Sequence, residues 1–131
     1  MFKAHEIMTE AVICAYPDTP IYDAIRLLSQ RKLTGLPVVD ADLNLVGLLS
    51  EKDVLSMMNA SDDHCENTVS DYMTEEVVSF DVNDNLVDLC DCLTDNHFRR
   101  VPITKDDKLM GIVSRSNLID AILKLKHQEP R

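Results

Sequence analysis

The chain has 131 residues, with 23 acidic against 13 basic ones and a formal net charge of −10. So acidic a surface repels phosphate backbones, which argues against general nucleic-acid binding and against anionic membranes. No stretch reaches the roughly 18 apolar residues of a membrane span. Met1-Phe2-Lys3-Ala4-His5-Glu6 lacks the apolar core of a signal peptide, so a soluble cytoplasmic protein without membrane insertion is expected.

Val12-Ile13-Cys14-Ala15 is a short β-favouring run and reads as the first strand. Asp18-Thr19-Pro20 signals a helix start, with an N-cap candidate and a proline at the first helical position. Ile21, Ala24, Ile25 and Leu28 then draw one apolar stripe at helical spacing. A strand is expected to begin at Pro37 and run to Asp40, because an absent N–H does least harm at a strand start. Asp42-Leu43-Asn44 supplies a turn. Leu45 to Leu49 follows as a strand whose Gly47 hints at a close backbone approach. A helix capped by Ser50 presents Val54, Leu55 and Met58, and the aperiodic stretch 59–68 reads as an exposed linker. The sequence then runs through the same order: a strand at Val77-Val78-Ser79-Phe80, and a helix after Asp84 with Leu86, Leu89, Cys90 and Leu93. A strand from Pro102 to Thr104, a turn at 106–108 and a strand from Leu109 to Val113 come next. The last helix is capped by Ser114, presents Leu118, Ile119 and Ile122, and is expected to fray after His127.

The chain is therefore one pattern written twice. Met8-Thr9 falls on Met73-Thr74 and Pro37 on Pro102; after one dropped residue, Gly47 falls on Gly111 and Ser50 on Ser114. A repeat of this size cannot cover its own apolar face, so the two copies, over 4–58 and 69–125, are expected to pair into one module. A chain of this length should bury roughly 68–70% of its unfolded surface, whereas about 60 residues would be marginal. The four cysteines fit no disulfide framework in a cytoplasmic chain. Cys90 and Cys92 align with Ile25 and Leu27 and read as small buried hydrophobes, since their spacing is not that of structural zinc. His64-Cys65 lacks a second ligand pair nearby.

Together, Met8-Thr9 and Met73-Thr74, Gly35-Leu36-Pro37-Val38 and Arg100-Val101-Pro102-Ile103, and the ends Gly47-Leu48-Leu49-Ser50-x-x-Asp53 and Gly111-Ile112-Val113-Ser114-x-x-Asn117 resemble a tandem pair of cystathionine-β-synthase (CBS) domains, a Bateman module. The resemblance covers about residues 4 to 125. It implies an α/β (α+β) fold of two β-α-β-β-α repeats packed through their sheets in pseudo-twofold symmetry. It also implies adenosine-containing ligands (AMP, ADP, ATP or S-adenosylmethionine) and a homodimer forming a disc of four repeats. Carried over by motif, Asp53 and Asn117 would bind the ribose diol. A carboxylate accepts both diol protons through charge-assisted bonds of about 1.5–3 kcal/mol each, while Asn117 has a single acceptor oxygen.

Ser50 and Ser114 would meet ribose or phosphate. The base would lie against Val12, Ile13, Leu36 and Pro37, or against Val77, Val78, Val101 and Pro102, with backbone groups beside Thr34-Gly35 or Arg99-Arg100 reading its edge. Arg99 and Arg100 are the phosphate candidates, with His97 and Arg115 near them in sequence; the first copy offers Arg31, Lys32 and Lys52. The competing reading of Ser-x-x-Asp/Asn is a helix cap, worth about 1 kcal/mol. A reciprocal capping box prefers Glu or Gln, so Asp and Asn are expected to fall short of closing it.

The leading reading is a regulatory adenine-nucleotide sensor, with or without magnesium, that acts on a partner in trans and has no catalytic activity. No nucleophile–base pair, glycine-rich phosphate loop or recurring metal-ligand spacing is legible. The alternatives are a ligand-free dimerisation scaffold, or a module for S-adenosylmethionine or a dinucleotide such as NAD.

Overall fold

A computed structural model describes residues 2–59, 66–95 and 98–128. Most of the 59–68 stretch, together with His64, Cys65 and His97, lies outside the described residues. The chain forms two compact units whose boundaries cut across the sequence repeat. Ile13–Val77 makes one, the contiguous unit; Met1–Val12 joins Val78–Arg131 in the other, the split unit. The Met-Thr opening of each sequence copy thus packs in the unit built mainly from the opposite copy.

In the split unit, a short helix α1 (Ala4–Ile7) begins the chain. Lys3 caps it, its N–H donating to Glu6 Oε1 at 3.0 Å. In the contiguous unit, α2 (Ile21–Arg31) starts one residue later than expected, with Pro20 at the N-cap. Thr19 Oγ1 accepts from the Tyr16 N–H at 2.9 Å, which holds the turn leading into it. The stripe read from sequence is the buried face: Ile21, Ala24 and Leu28 are core and Ile25 is half-buried. Lys32 ends α2 in the left-handed region, with its N–H returned to the carbonyls of Leu28 and Ser29. Strands β1 (Gly35–Val39) and β2 (Leu45–Ser50) form an antiparallel hairpin. Helix α3 (Glu51–Ser56) follows, then 3₁₀ turns at Met57–Asn59 and Val69–Asp71.

The split unit holds β3 (Phe80–Asp81), α4 (Leu86–Asp95), β4 (Arg100–Lys105), β5 (Lys108–Ser114) and α5 (Arg115–Gln128). Its sheet order is β3-β4-β5, parallel then antiparallel. Each unit has its own core. Leu36, Val38 and Leu49 anchor the contiguous one; Leu89, Val101, Ile103 and Val113 anchor the split one, with Ala4 beside them. Cys92 belongs to that second core and Cys90 packs half-buried against it, as hydrophobes of their size should.

Two strand expectations are corrected, and one cause explains both. Pro37 and Pro102 are the third residues of β1 and β4, not the first. Pro37 C=O accepts from the Ala15 N–H at 2.9 Å, and Val39 N–H donates to Ala15 C=O at 3.0 Å. A residue's N and O point to the same side of a strand, so the missing N–H of Pro37 faces the segment before Ala15 rather than β2. The next bond of this parallel ladder would need that N–H. Residues 12–14 therefore form no strand, and pairing is reduced to the Ala15–Val38 bridge. In the split unit the parallel pairing likewise begins at Phe80, leaving Val77, Val78 and Ser79 outside it.

The hairpin turns carry strain. Asp40 Oδ1 accepts from the N–H groups of both Asp42 and Asn44 at 2.9 Å, which drives Leu43 to a φ of 68°. Asp106 and Asp107, at 51° and 69°, form the turn between β4 and β5. A bulky L-residue pays most for the left-handed region, and Leu43 is also exposed. Leu43→Asn is expected to raise stability by about 0.5–1 kcal/mol, seen as a higher urea midpoint with an unchanged slope.

Candidate functional site

Both glycines inside the second strands of the hairpins sit under a crossing backbone. In the contiguous unit, Thr74 exchanges two backbone hydrogen bonds with Leu48, each 2.9 Å. In the split unit, Thr9 does the same with Ile112, at 2.9 and 3.0 Å. A Cβ on Gly47 would lie 2.7 Å from Met73 Sδ, and one on Gly111 would lie 2.6 Å from Met8 Sδ. The close approach expected at these glycines is real. Its purpose is to seat a Met-Thr dipeptide.

That seating brings each threonine to the capped helix start that follows the strand. Ser50 N–H donates to Asp53 Oδ2 at 2.9 Å, and Asp53 N–H donates to Ser50 Oγ at 3.1 Å. Ser114 N–H donates to Asn117 Oδ1 at 2.8 Å, and Asn117 N–H returns to Ser114 Oγ at 3.3 Å. Both capping boxes close, contrary to the expectation that Asp and Asn are too short. At Ser50 the cap backbone is extended (φ −96°, ψ 165°), and the shorter side chain at the third helical position spans to its N–H.

The remaining valences distinguish the two starts. Thr74 Oγ1 donates toward the Asp53 carboxylate, 3.2 Å from Oδ1 and 3.4 Å from Oδ2. A carboxylate offers about four acceptor positions, so Asp53 keeps capacity for a further donor, chiefly on Oδ1. Asn117 Oδ1 accepts from the Ser114 N–H and from Ser114 Oγ at 2.9 Å, which fills both of its lone pairs. Its amide nitrogen donates to Thr9 Oγ1 at 3.4 Å. Asp53 is thus the better acceptor for a diol, and Asn117 is left as a donor. Thr74 and Thr9 were not among the site residues read from sequence. Their signal was the recurring Met-Thr dipeptide, but the partner of each lies in the opposite copy.

The other predicted residues divide by unit. Ile13, Thr34, Gly35 and Val77 are half-buried in the contiguous unit; Val12 is half-buried and Val78 exposed in the split unit. Leu36, Pro37, Val101 and Pro102 are strand core. Thr34 C=O accepts from the Glu51 N–H at 3.1 Å, and Arg99 C=O from the Arg115 N–H at 3.3 Å, so these backbone groups tie each strand mouth to the following helix.

Arg99 is exposed and Arg100 half-buried at the start of β4, and neither meets a carboxylate among the described residues. Arg115 is turned elsewhere: its Nη2 donates to Leu93 C=O at 3.3 Å, at the end of α4. Arg31, Lys32 and Lys52 are exposed. Burial raises the thiols of Cys14 and Cys90, and Asp91 raises the latter further, which is the reverse of what a reactive thiolate needs. Among the described residues, no helix is long and apolar enough to cross a membrane.

The CBS domain family matches residues 4–60 and 69–124. The CBS domain-containing protein CBSX1, chloroplastic, of Arabidopsis thaliana is 29% identical over 161 residues, covering 100% of this chain and 68% of its own length. Against CBSX2 of the same plant the identity is 31%, and the match spans 59% of that protein. An uncharacterised 17.7 kDa protein of Acidianus ambivalens is 32% identical over 92% of this chain and 73% of its own. A crystal structure of CBSX2 in complex with AMP matches with a TM-score of 0.84 at 32% identity, over 96% of this chain and 99% of that one. With the family's motifs recurring in both copies and its fold reproduced over almost the whole length, the chain belongs to the CBS-domain family and carries two copies of the domain.

Proposed function

We propose that this chain is a regulatory module that binds an adenine nucleotide (AMP, ADP or ATP), catalyses nothing itself, and acts as a homodimer on a partner protein. Residues 4–58 and 69–125 are its two repeats, joined by 59–68. The observation that carries this reading is the half-buried Asp53, pinned at a helix start by Ser50 and Thr74 with acceptor capacity to spare. A ribose diol is the donor such a group suits. Arg99 and Arg100, without carboxylate partners among the described residues, supply cations for phosphate. The relative crystallised with AMP supports the ligand class. Binding would bias the partner only by the ligand's differential affinity for two states of the module.

The test is calorimetric titration with AMP, ADP, ATP, S-adenosylmethionine and NAD, with and without magnesium, on protein verified free of carried-over nucleotide. Asp53→Ala is expected to weaken nucleotide binding by about tenfold or more, since a charge-assisted bond is worth about 1.5–3 kcal/mol. Arg100→Ala should weaken the phosphate-bearing ligands and spare S-adenosylmethionine. A scaffold without ligand is the second reading, favoured by the closed boxes, which already give Asp53 and Asn117 a structural task. Absence of heat with every ligand would decide for it.

A further inference from the structure

In the contiguous unit the Asp53 carboxylate is held at two points by groups that are themselves fixed. Ser50 N–H donates to Oδ2 at 2.9 Å, and the Thr74 hydroxyl reaches Oδ1 at 3.2 Å and Oδ2 at 3.4 Å. The last torsion of an aspartate is broad, so the Ser50 bond alone would let Oδ1 swing. Thr74 cannot follow such a swing. Its N–H and C=O each bond to Leu48 at 2.9 Å, and Met73 before it lies tight over Gly47. A β-branched side chain is also stiff about its first torsion.

The Thr74 hydroxyl has one proton to give, and a carboxylate has about four acceptor positions. With that proton on the nearer Oδ1 and the Ser50 N–H on Oδ2, one position remains on each oxygen. Two hydroxyls on neighbouring carbons supply one donor to each. The split unit has the same parts with the polarity reversed. Asn117 Oδ1 is filled by Ser114 N–H and Ser114 Oγ, and the Asn117 amide nitrogen donates to Thr9 Oγ1 at 3.4 Å. There the threonine is an acceptor, and it orders nothing that could receive a diol.

We propose that Thr74 is a positioning residue for ligand binding: its hydroxyl sets the plane of the Asp53 carboxylate for a vicinal diol, and Thr9 has no such part in the split unit. The proposal rests on the nucleotide reading above and adds to it a residue that lies outside the Ser-x-x-Asp motif. Thr74 acts through Asp53 and need not touch the sugar. A carboxylate already oriented spares the ligand the cost of ordering it on binding. The effect therefore falls on the diol and not on the base or the phosphate.

Calorimetric titration with AMP and with deoxy-AMP, which lacks one hydroxyl of the diol, tests this on the wild type, Thr74→Val, Thr74→Ser and Thr9→Val. The readout is the ratio of the two affinities, which a merely structural role would not move. The wild type is expected to favour AMP by about tenfold or more, as a hydrogen bond to a charged group implies. Thr74→Val keeps the shape and the backbone bonds to Leu48. It should cut that preference by about threefold or more, the fold-change of freezing one side chain on binding. Thr74→Ser returns the hydroxyl and should recover most of the preference, and Thr9→Val should leave it at the wild-type value. A preference unchanged in Thr74→Val, including a loss of affinity shared equally by AMP and deoxy-AMP, overturns the role of Thr74 and leaves nucleotide binding standing. A preference that falls as far in Thr9→Val overturns its assignment to the contiguous unit. A wild type that binds both ligands equally overturns the diol contact at Asp53 and this role with it. A wild type that binds neither overturns the nucleotide reading itself, and the role with it.

Discussion

Gly111→Val is expected to lower the unfolding free energy by about 3 kcal/mol, the upper range for forcing extra atoms into a packed site. A Cβ there would stand 2.8 Å from Met8 Cγ and 2.9 Å from Thr9 C=O. Met8 has rotatable bonds and can swing aside. Thr9 cannot, because its backbone is bonded both ways to Ile112, the residue next to the substitution. Relief therefore requires breaking that bridge, which also frees Thr9 from Asn117. Gly35→Ala is the matched control: its added Cβ meets only Leu49 C=O within 3.4 Å, at 3.2 Å, so a smaller loss of about 1 kcal/mol or less is expected. Urea denaturation of both variants measures the contrast. Equal losses would show that the crossing backbone at Gly111 is not the constraint.

Removal of residues 1–9 should cost about 5 kcal/mol, comparable with the whole stability of many domains of this size. The deletion takes fully buried Ala4 out of the split unit's core, along with Phe2, Ile7 and Met8 packed against it. It also strips the bonds from Ala4 N–H to Asp84 C=O, from His5 N–H to Val82 C=O and from Leu86 N–H to Phe2 C=O. Amide hydrogen exchange should show the loss where those partners sit, and at Ile112, which loses both of its bonds to Thr9: the start of α4 and β5 become unprotected, while β1 and α2 of the contiguous unit, with a separate core, keep their protection. Protection lost first from the contiguous unit would contradict the assignment of the N-terminal segment to the split one.

How much of this was legible in the sequence depends on how far apart the interacting groups lie. The stripe of Ile21, Ala24 and Leu28, the caps at Ser50 and Ser114, and the demand for glycine at 47 and 111 were all readable. Each is set by neighbours within a turn of chain or by the size of one side chain. The apolar faces of α3 and α5 were readable as patterns. That Leu118 is buried while Leu55, Met58, Ile119 and Ile122 are exposed was not, because periodicity says which residues share a face and not whether anything covers it. The strands before Ala15 and Phe80 were misread for a similar reason. Val12-Ile13-Cys14-Ala15 has β propensity, but the ladder partner it needs is the N–H that Pro37 lacks, on another strand.

The candidate site divides along the same line. The sequence determined which groups are available: a carboxylate and an amide three residues after two serines, and a Met-Thr pair near the start of each repeat. Only the tertiary structure decided what they meet. Thr74 reaches Asp53 across 21 residues and Thr9 reaches Asn117 across 108, each from the opposite copy. It also decided that both capping boxes close, leaving Asp53 with acceptor capacity and Asn117 with none. Local patterns are fixed by backbone geometry over a few residues. The pairing of distant backbones is fixed by which surfaces exclude water together, and no short window of sequence contains that.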